Sequence, residues 1–185
     1  MSGYLFLPGQ SRVGPIAGGT KDPGGSMTTL EKAVLGAQPF LRGLPDQHLD
    51  TLAALCRHVA MPSGRRLFDE NEHGDQFWLI DAGQVVIDTM VPGRGRLIIE
   101  TLGRGDVAGV AWLLPAPYLW RFGAVTTQPM QAFEFDARGV RAACDFDPSL
   151  GYKLSRRVTG IVVRRLEATH ARLMDAHALG AGTMT

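Results

Sequence analysis

Five small groups of side chains have the types and spacing for chemistry. His48, Cys56 and His58 stand close together in a stretch with helical periodicity. Cys-x-His is not a metal-site spacing with supporting ligands, and Leu55 and Val59 beside it point to packing. His170 and His177 lie seven apart on a long helical stretch. Paired across a dimer they would offer imidazoles to a haem or metal; as helix polar groups they face solvent. Asp69, Glu70 and Glu72 form an acidic turn. Paired carboxylates serve acid–base catalysis, but no nucleophile or aligned histidine accompanies them. Arg94 and Arg96 flank a glycine turn, where an acidic partner or solvent would meet them. Cys56 and Cys144 are the two cysteines, too few for a disulfide framework or a four-ligand zinc site. They read as small buried hydrophobes in a reducing, cytoplasmic setting. No nucleophile elbow, phosphate loop or dinucleotide fingerprint is present. The sequence therefore reads as a non-enzyme with no metal site.

The elements that would position any site follow from the patterning. The chain has 185 residues, is 45% hydrophobic and carries a formal charge of +1. That is enough for one packed domain, and it excludes the strong basic excess of an extended nucleic-acid footprint. No apolar run reaches the ~20 residues of a membrane span. Residues 1–26 hold seven glycines and three prolines. They read as a disordered segment or tag, because such a stretch buries too little surface to offset its ordering entropy.

A domain is expected over 27–178, with helices over 27–58, a β-roll over 59–136 and helices again over 137–178. Residues 179–185 read as a disordered tail. Thr28 with Glu31 predicts a capped helix to about Ala37. Leu44-Pro45-Asp46 opens a second helix to about His58. Strands are predicted at Arg66–Phe68, Gln76–Ile80, Gln84–Thr89, Arg96–Thr101, Gly123–Thr126 and Gln131–Phe135. Glycine-rich turns separate them, as in an antiparallel roll or barrel. A short helix follows over Ala137–Asp145, and Pro148 opens a long one to about Ala178.

On that long helix Leu154, Val158, Val162, Leu166, Thr169, Leu173 and Ala176 recur at intervals of four, four, four, three, four and three. The later part has the 3.5-residue spacing of a coiled-coil seam. Leu154, Val158, Val162, Leu166 and Leu173 are the expected dimer contacts; the alternative is a helix packed only on its own roll.

Several ordered stretches resemble one family. Gly64-Arg65-Arg66-Leu67-Phe68 with His73-Gly74-Asp75-Gln76-Phe77-Trp78-Leu79-Ile80 looks like a first β-hairpin. Asp81-Ala82-Gly83-Gln84-Val85 looks like its xxGxV turn. Leu102-Gly103-Arg104-Gly105-Asp106-Val107-Ala108-Gly109 looks like an L-x-x-G-D-x-x-G cassette, and Arg164-Arg165-Leu166-Glu167-Ala168-Thr169 like a long-helix motif. Together, over roughly 38–177, they resemble the cyclic-nucleotide-binding sensor domain of the catabolite activator protein (Crp/Fnr) family. The resemblance implies a mainly β fold, a jelly roll or double-stranded β-helix with N-terminal helices and a long C-terminal one. It also implies a cytoplasmic homodimer joined through the long helix.

The resemblance further implies a ligand site at Gly109, Val110, Ala111, Arg121, Phe122, Arg165 and Thr169. Gly109 matches the cassette glycine and Arg121 the arginine that neutralises a cyclic phosphate. Arg165 and Thr169 match long-helix positions near the purine. Two positions depart from the pattern. Val110 stands where a ribose-binding Glu is expected, and Phe122 where a Ser or Thr is expected. A ribose hydroxyl buried against valine is unpaired, at a cost of about 1–3 kcal/mol. Trp112, Pro115, Pro117, Tyr118 and Trp120 make the cassette bulky. Arg121 has a second reading, an ion pair with an acid such as Glu100 or Asp106 that simply holds the loop.

Only eight residues follow His177, so no autonomous DNA binding is expected. The functional reading is a stand-alone regulatory sensor for cAMP or another small anionic ligand, weakly bound and signalling through the long helix; no cofactor beyond that possible cyclic nucleotide is implied. The alternatives are a degenerate dimerisation or protein-interaction module, with a protein partner, and an effector-less partner of Crp/Fnr-type regulators.

Overall fold

The computed structural model describes residues 6–7, 28–114 and 119–181. Helices α1 (Thr29–Ala37) and α2 (Asp46–Ala54) precede strands β2 (Cys56–Met61), β3 (Arg66–Phe68), β4 (Gln76–Ala82), β5 (Val85–Val91), β6 (Gly95–Leu102) and β7 (Val107–Ala108). A single 3-10 turn, Val110–Leu113, leads toward β8 (Gly123–Thr126) and β9 (Met130–Asp136). Helices α3 (Ala137–Phe146) and α4 (Pro148–Ala181) end the described chain. A further short strand, β1 (Phe6–Leu7), lies ahead of them all.

The strands make two antiparallel sheets, β1-β6-β5-β8-β3 and β2-β9-β4-β7. Side chains alternate across a strand, and β4 has both faces covered. Trp78 and Ile80 turn into the roll with Ile87, Ala124 and Ala132. Phe77 and Leu79 turn the other way, onto a cluster built from α1, α2, α3 and the first turns of α4. The predicted sensor-type roll with flanking helices is the observed architecture.

Local chemistry sets the boundaries. The Thr28 hydroxyl accepts from the Glu31 N–H while the Glu31 carboxylate accepts from the Thr28 N–H, the capping box expected for α1. Gly83 makes the β4–β5 turn at φ 89°; a Cβ there would meet the Pro129 carbonyl oxygen. The Asp147 carboxylate accepts from the N–H groups of Ser149 and Leu150 and so caps α4.

Two expectations need correction. The second helix stops at Ala54 rather than His58, and Cys56 and His58 belong to β2, paired with β9 from Cys56↔Phe135 to Met61↔Met130. Ladder bonds to β9 override the local helical pattern. Phe6 and Leu7, placed in a segment expected to be structureless, pair with Leu97 and Arg96 along the edge of β6.

Candidate functional site

The cassette begins at the turn after β6. The Asp106 carboxylate accepts from the Gly103 N–H at 2.9 Å, and Gly105 N–H donates to the Ile80 carbonyl at 2.8 Å, which fixes the turn on β4. Gly109 then turns left-handed, at φ 83° and ψ 39°. A Cβ at Gly109 would lie 2.8 Å from Cη2 of Trp120 and 3.4 Å from the Gln76 carbonyl oxygen. The cassette glycine is therefore required twice, for its backbone and for the indole packed on it. Beyond it, half-buried Val110 leans on the helix-side cluster and Ala111 on the roll cluster. Trp112 is fully buried and stacks on Phe77 at 4.6 Å. Pro115, Pro117 and Tyr118 lie outside the described residues.

Trp120 enters the roll. Its ring stacks on Phe68 at 4.3 Å, and Phe68 stacks on Trp78 at 5.7 Å. Its backbone is held by the 71–73 turn: Asn71 N–H donates to the Trp120 carbonyl, and Trp120 N–H donates to the Glu72 carbonyl. Behind this stack the Glu134 carboxylate accepts from Trp78 Nε1 at 3.2 Å, from Gln76, and from Arg57 at 2.6 Å. Glu134 is buried, so these donors satisfy a carboxylate that solvent does not reach. A cleft of about 150 Å³ opens beside the stack, rimmed by Glu72, His73, Asp75 and Gln76. Asp75 in that rim is bound by Arg138 at 2.8 Å, and the hydrogen bond to that guanidinium holds its carboxyl below the usual carboxylate range.

Trp120 is buried, whereas Arg121 and Phe122, in the bend that leads into β8, are exposed. Among the described residues Arg121 makes no hydrogen bond or ion pair. Neither acid considered for it is its partner: Asp106 accepts from the Gly103 N–H, and Glu100 pairs with another arginine.

That arginine is Arg165, on α4. Its Nε lies 3.1 Å from Glu100, and its NH2 donates to the Val107 carbonyl at 2.9 Å. Glu100 is opposite Ile87 in register and Leu102 is opposite Val85. Leu102, Val85 and Ile87 all belong to the roll cluster, so the carboxylate stands on the inner face of the sheet. One guanidinium thus joins the long helix to the inside of the roll and to the strand that enters the cassette. Thr169 does not join this group; it is exposed, and its hydroxyl donates back to the Arg165 carbonyl.

The apolar positions of α4 divide. Leu154 and Val158 are buried in the chain's own helix-side cluster and so are not free for a seam. Interval counting cannot separate an internal stripe from an external one. Val162 and Leu166 are exposed, at 48% and 55%. The side chain of Leu173 lies outside the described residues.

Sequence reasoning missed a second charged cluster. Asp88 is fully buried, yet it receives both terminal nitrogens of Arg66, at 2.5 and 2.6 Å, and one of Arg96 at 3.1 Å. Both arginines also reach Asp69. A Cβ on Gly123 would run into this cluster, whereas Ala124 beside it faces the roll. The cluster therefore covers the outer face of the five-stranded sheet. It gives Arg96 and Asp69 structural partners in place of the hairpin-tip and catalytic readings. A signal was available: an aspartate inside the apolar run Val85–Val91 demands cations nearby.

The other candidates fall apart in space. His48 is on α2, buried, with Nε2 2.9 Å from Asp147. His58 is on β2, tilted against Phe133. Burial pushes the thiols of Cys56 up to about 12 and Cys144 up to about 11. Exposed His170 stands on α4, and the side chain of His177 lies outside the described residues. Among the described residues no group of three or more His, Cys, Asp or Glu is placed to hold a metal, and no helix is long and apolar enough to cross a membrane.

Comparison with known proteins agrees with this geometry. The family model for the cyclic nucleotide-binding domain matches residues 58–146. A CRP-like cAMP-activated global transcriptional regulator of Mycobacterium tuberculosis is 24% identical over 143 residues, 77% of this chain and 61% of the relative. The chain thus spans under two thirds of that relative's length. A cyclic nucleotide-binding domain from Methylobacillus flagellatus superposes with a TM-score of 0.66 at 18% identity, covering 78% of this chain and 80% of that one. The catabolite activator protein of Thermus thermophilus gives a TM-score of 0.59 at 19% identity, over 75% of this chain and 63% of that one. Residues 58–146 of the chain thus match the cyclic nucleotide-binding domain family, and its roll, cassette and long helix in this order are similar to those of CRP-like proteins.

Proposed function

We propose that this chain is a regulatory, non-catalytic sensor whose roll takes cAMP or a similar small anionic ligand weakly and whose output is the position of α4. The observation that carries the reading is Arg165, which ties α4 at once to the inner face of the roll and to the Val107 carbonyl at the cassette entrance. A ligand that moves the cassette acts directly on that tie. By linkage it shifts α4 only as far as it binds the two helix positions unequally.

Weak binding follows from the site's own side chains. Val110 supplies no acceptor for a ribose hydroxyl, at about one to two decades of affinity. Phe122 supplies no hydroxyl, and Trp120 packs against Gly109 where a ligand would approach the cassette backbone. Arg121, exposed and unpaired among the described residues, is the cation left to meet a phosphate. The exposed stripe of Val162, Val163 and Leu166 supports a second copy packed along α4 as the element that reads the helix position.

Isothermal titration with cAMP and cGMP tests the site, and light scattering of the same samples tests the assembly. The expected result is a dissociation constant of about 100 µM or weaker, consistent with the loss of a ribose partner. Arg121→Ala should abolish the heat, and a dimer should be present at micromolar concentration. No heat up to millimolar ligand overturns the nucleotide reading. Binding that survives Arg121→Ala overturns the assignment of the site, and a monomer overturns the α4 interface.

A further inference from the structure

We infer that Glu100 is a built-in competitor for the ligand: an internal carboxylate that occupies Arg165 and holds α4 against the roll when the roll is empty. The inference deepens the proposed sensor function and rests on it for its ligand. Glu100 projects from the inner face of β6, and Arg165 reaches it from α4 at 3.1 Å. Both side chains are about three-quarters buried, at 27% and 23% exposure, so the pair is only partly screened by water. The same guanidinium donates to the Val107 carbonyl, one residue before the Ala108-Gly109 step into the cassette. An anionic ligand in the roll meets Glu100 as a like charge and must draw Arg165 away from it. Glu100 therefore sets both the affinity and the specificity of the roll: it disfavours anions and favours ligands that present a hydrogen-bond donor at that end.

Among the described residues no other basic residue of α4 has this geometry. Arg157 spends its guanidinium on the Phe40 and Arg42 carbonyls of the α1–α2 connection. Arg164 and Arg156 are exposed, and Lys153 donates to Ser149 on its own helix. Arg165 is the described α4 cation that touches the roll interior, and Glu100 is the acid that claims it.

The test uses the full chain with Glu100→Gln, which keeps shape and removes charge, and two readouts. The first is hydrogen exchange without ligand. If Glu100 holds α4, amides around 161–169 and at Val107–Gly109 exchange faster in Glu100→Gln than in the wild type, while β9 does not change. Unchanged exchange overturns the inference even if no nucleotide ever binds. The second is titration with cAMP. The loss of the competing charge should tighten binding about tenfold, the effect of one partly buried charge pair. Equal or weaker binding by Glu100→Gln overturns the inference while leaving the sensor reading in place.

Discussion

Replacing Gly109 with alanine separates the two demands the structure places on that residue. Its backbone is left-handed, at φ 83°, where a Cβ costs about 1–2 kcal/mol. The new Cβ would also lie 2.8 Å from Cη2 of Trp120, while carbon atoms sit comfortably at about 3.5–4.0 Å. The indole must then retreat by about 1 Å from its stack on Phe68, and overpacking of that kind costs about 1–3 kcal/mol. Gly109→Ala should therefore destabilise the domain by about 2–5 kcal/mol in total. Trp120→Leu removes the far end of the ring, so in that background only the backbone cost remains, about 1–2 kcal/mol. The double-mutant cycle should show a coupling of about 1–3 kcal/mol. Urea unfolding followed by far-ultraviolet circular dichroism measures it without relying on the tryptophan being removed. If Gly109→Ala costs the same in both backgrounds, Trp120 does not pack on the cassette glycine. In that case the chain's own indole does not obstruct the cassette backbone.

Asp88 and the cysteines give two further checks. Asp88→Ala strands Arg66 and Arg96 without their buried carboxylate, and breaking such a pair costs about 3–5 kcal/mol; a loss under about 1 kcal/mol in urea would show the cluster to be solvated. Cys56 and Cys144 have thiols pushed up to about 12 and about 11, chiefly by burial, so at pH 8 iodoacetamide should label neither in the native protein and both in urea; rapid native labelling of Cys56 would contradict its burial.

The fold was legible wherever a local signal and the tertiary structure agree. Arg66–Phe68 and Gly123–Thr126 appear with their predicted limits, because turn residues bracket short β-branched or apolar runs. Thr28 and Glu31 mark α1 by a hydrogen-bond pair confined to four residues. Cys56-Arg57-His58 was read as helix because its alternative rests on Glu134, Phe133 and Phe135, some 77 residues away, whose ladder with β2 no local pattern records. The same limit hides β1: Phe6 and Leu7 gain a strand conformation from Leu97 and Arg96 on β6.

The site was legible by residue type but not by partner. Gly109 and Arg165 were both singled out, and both sit at the cassette. Arg165 faces Glu100 there, however, an acid first weighed as a partner for Arg121. Which arginine takes a carboxylate depends on the side of the sheet from which each approaches, and that is set by register. Trp120 in, Arg121 and Phe122 out, is set by the bend ahead of β8, which no local sequence pattern records. Trp120 is held twice in that bend: its backbone by Asn71 and Glu72, its ring by Phe68. If the roll takes an anion as proposed, its affinity depends on the two contacts the chain already makes there, Trp120 on Gly109 and Glu100 on Arg165. On the proposed sensor reading, both would have to open for an anionic ligand to enter.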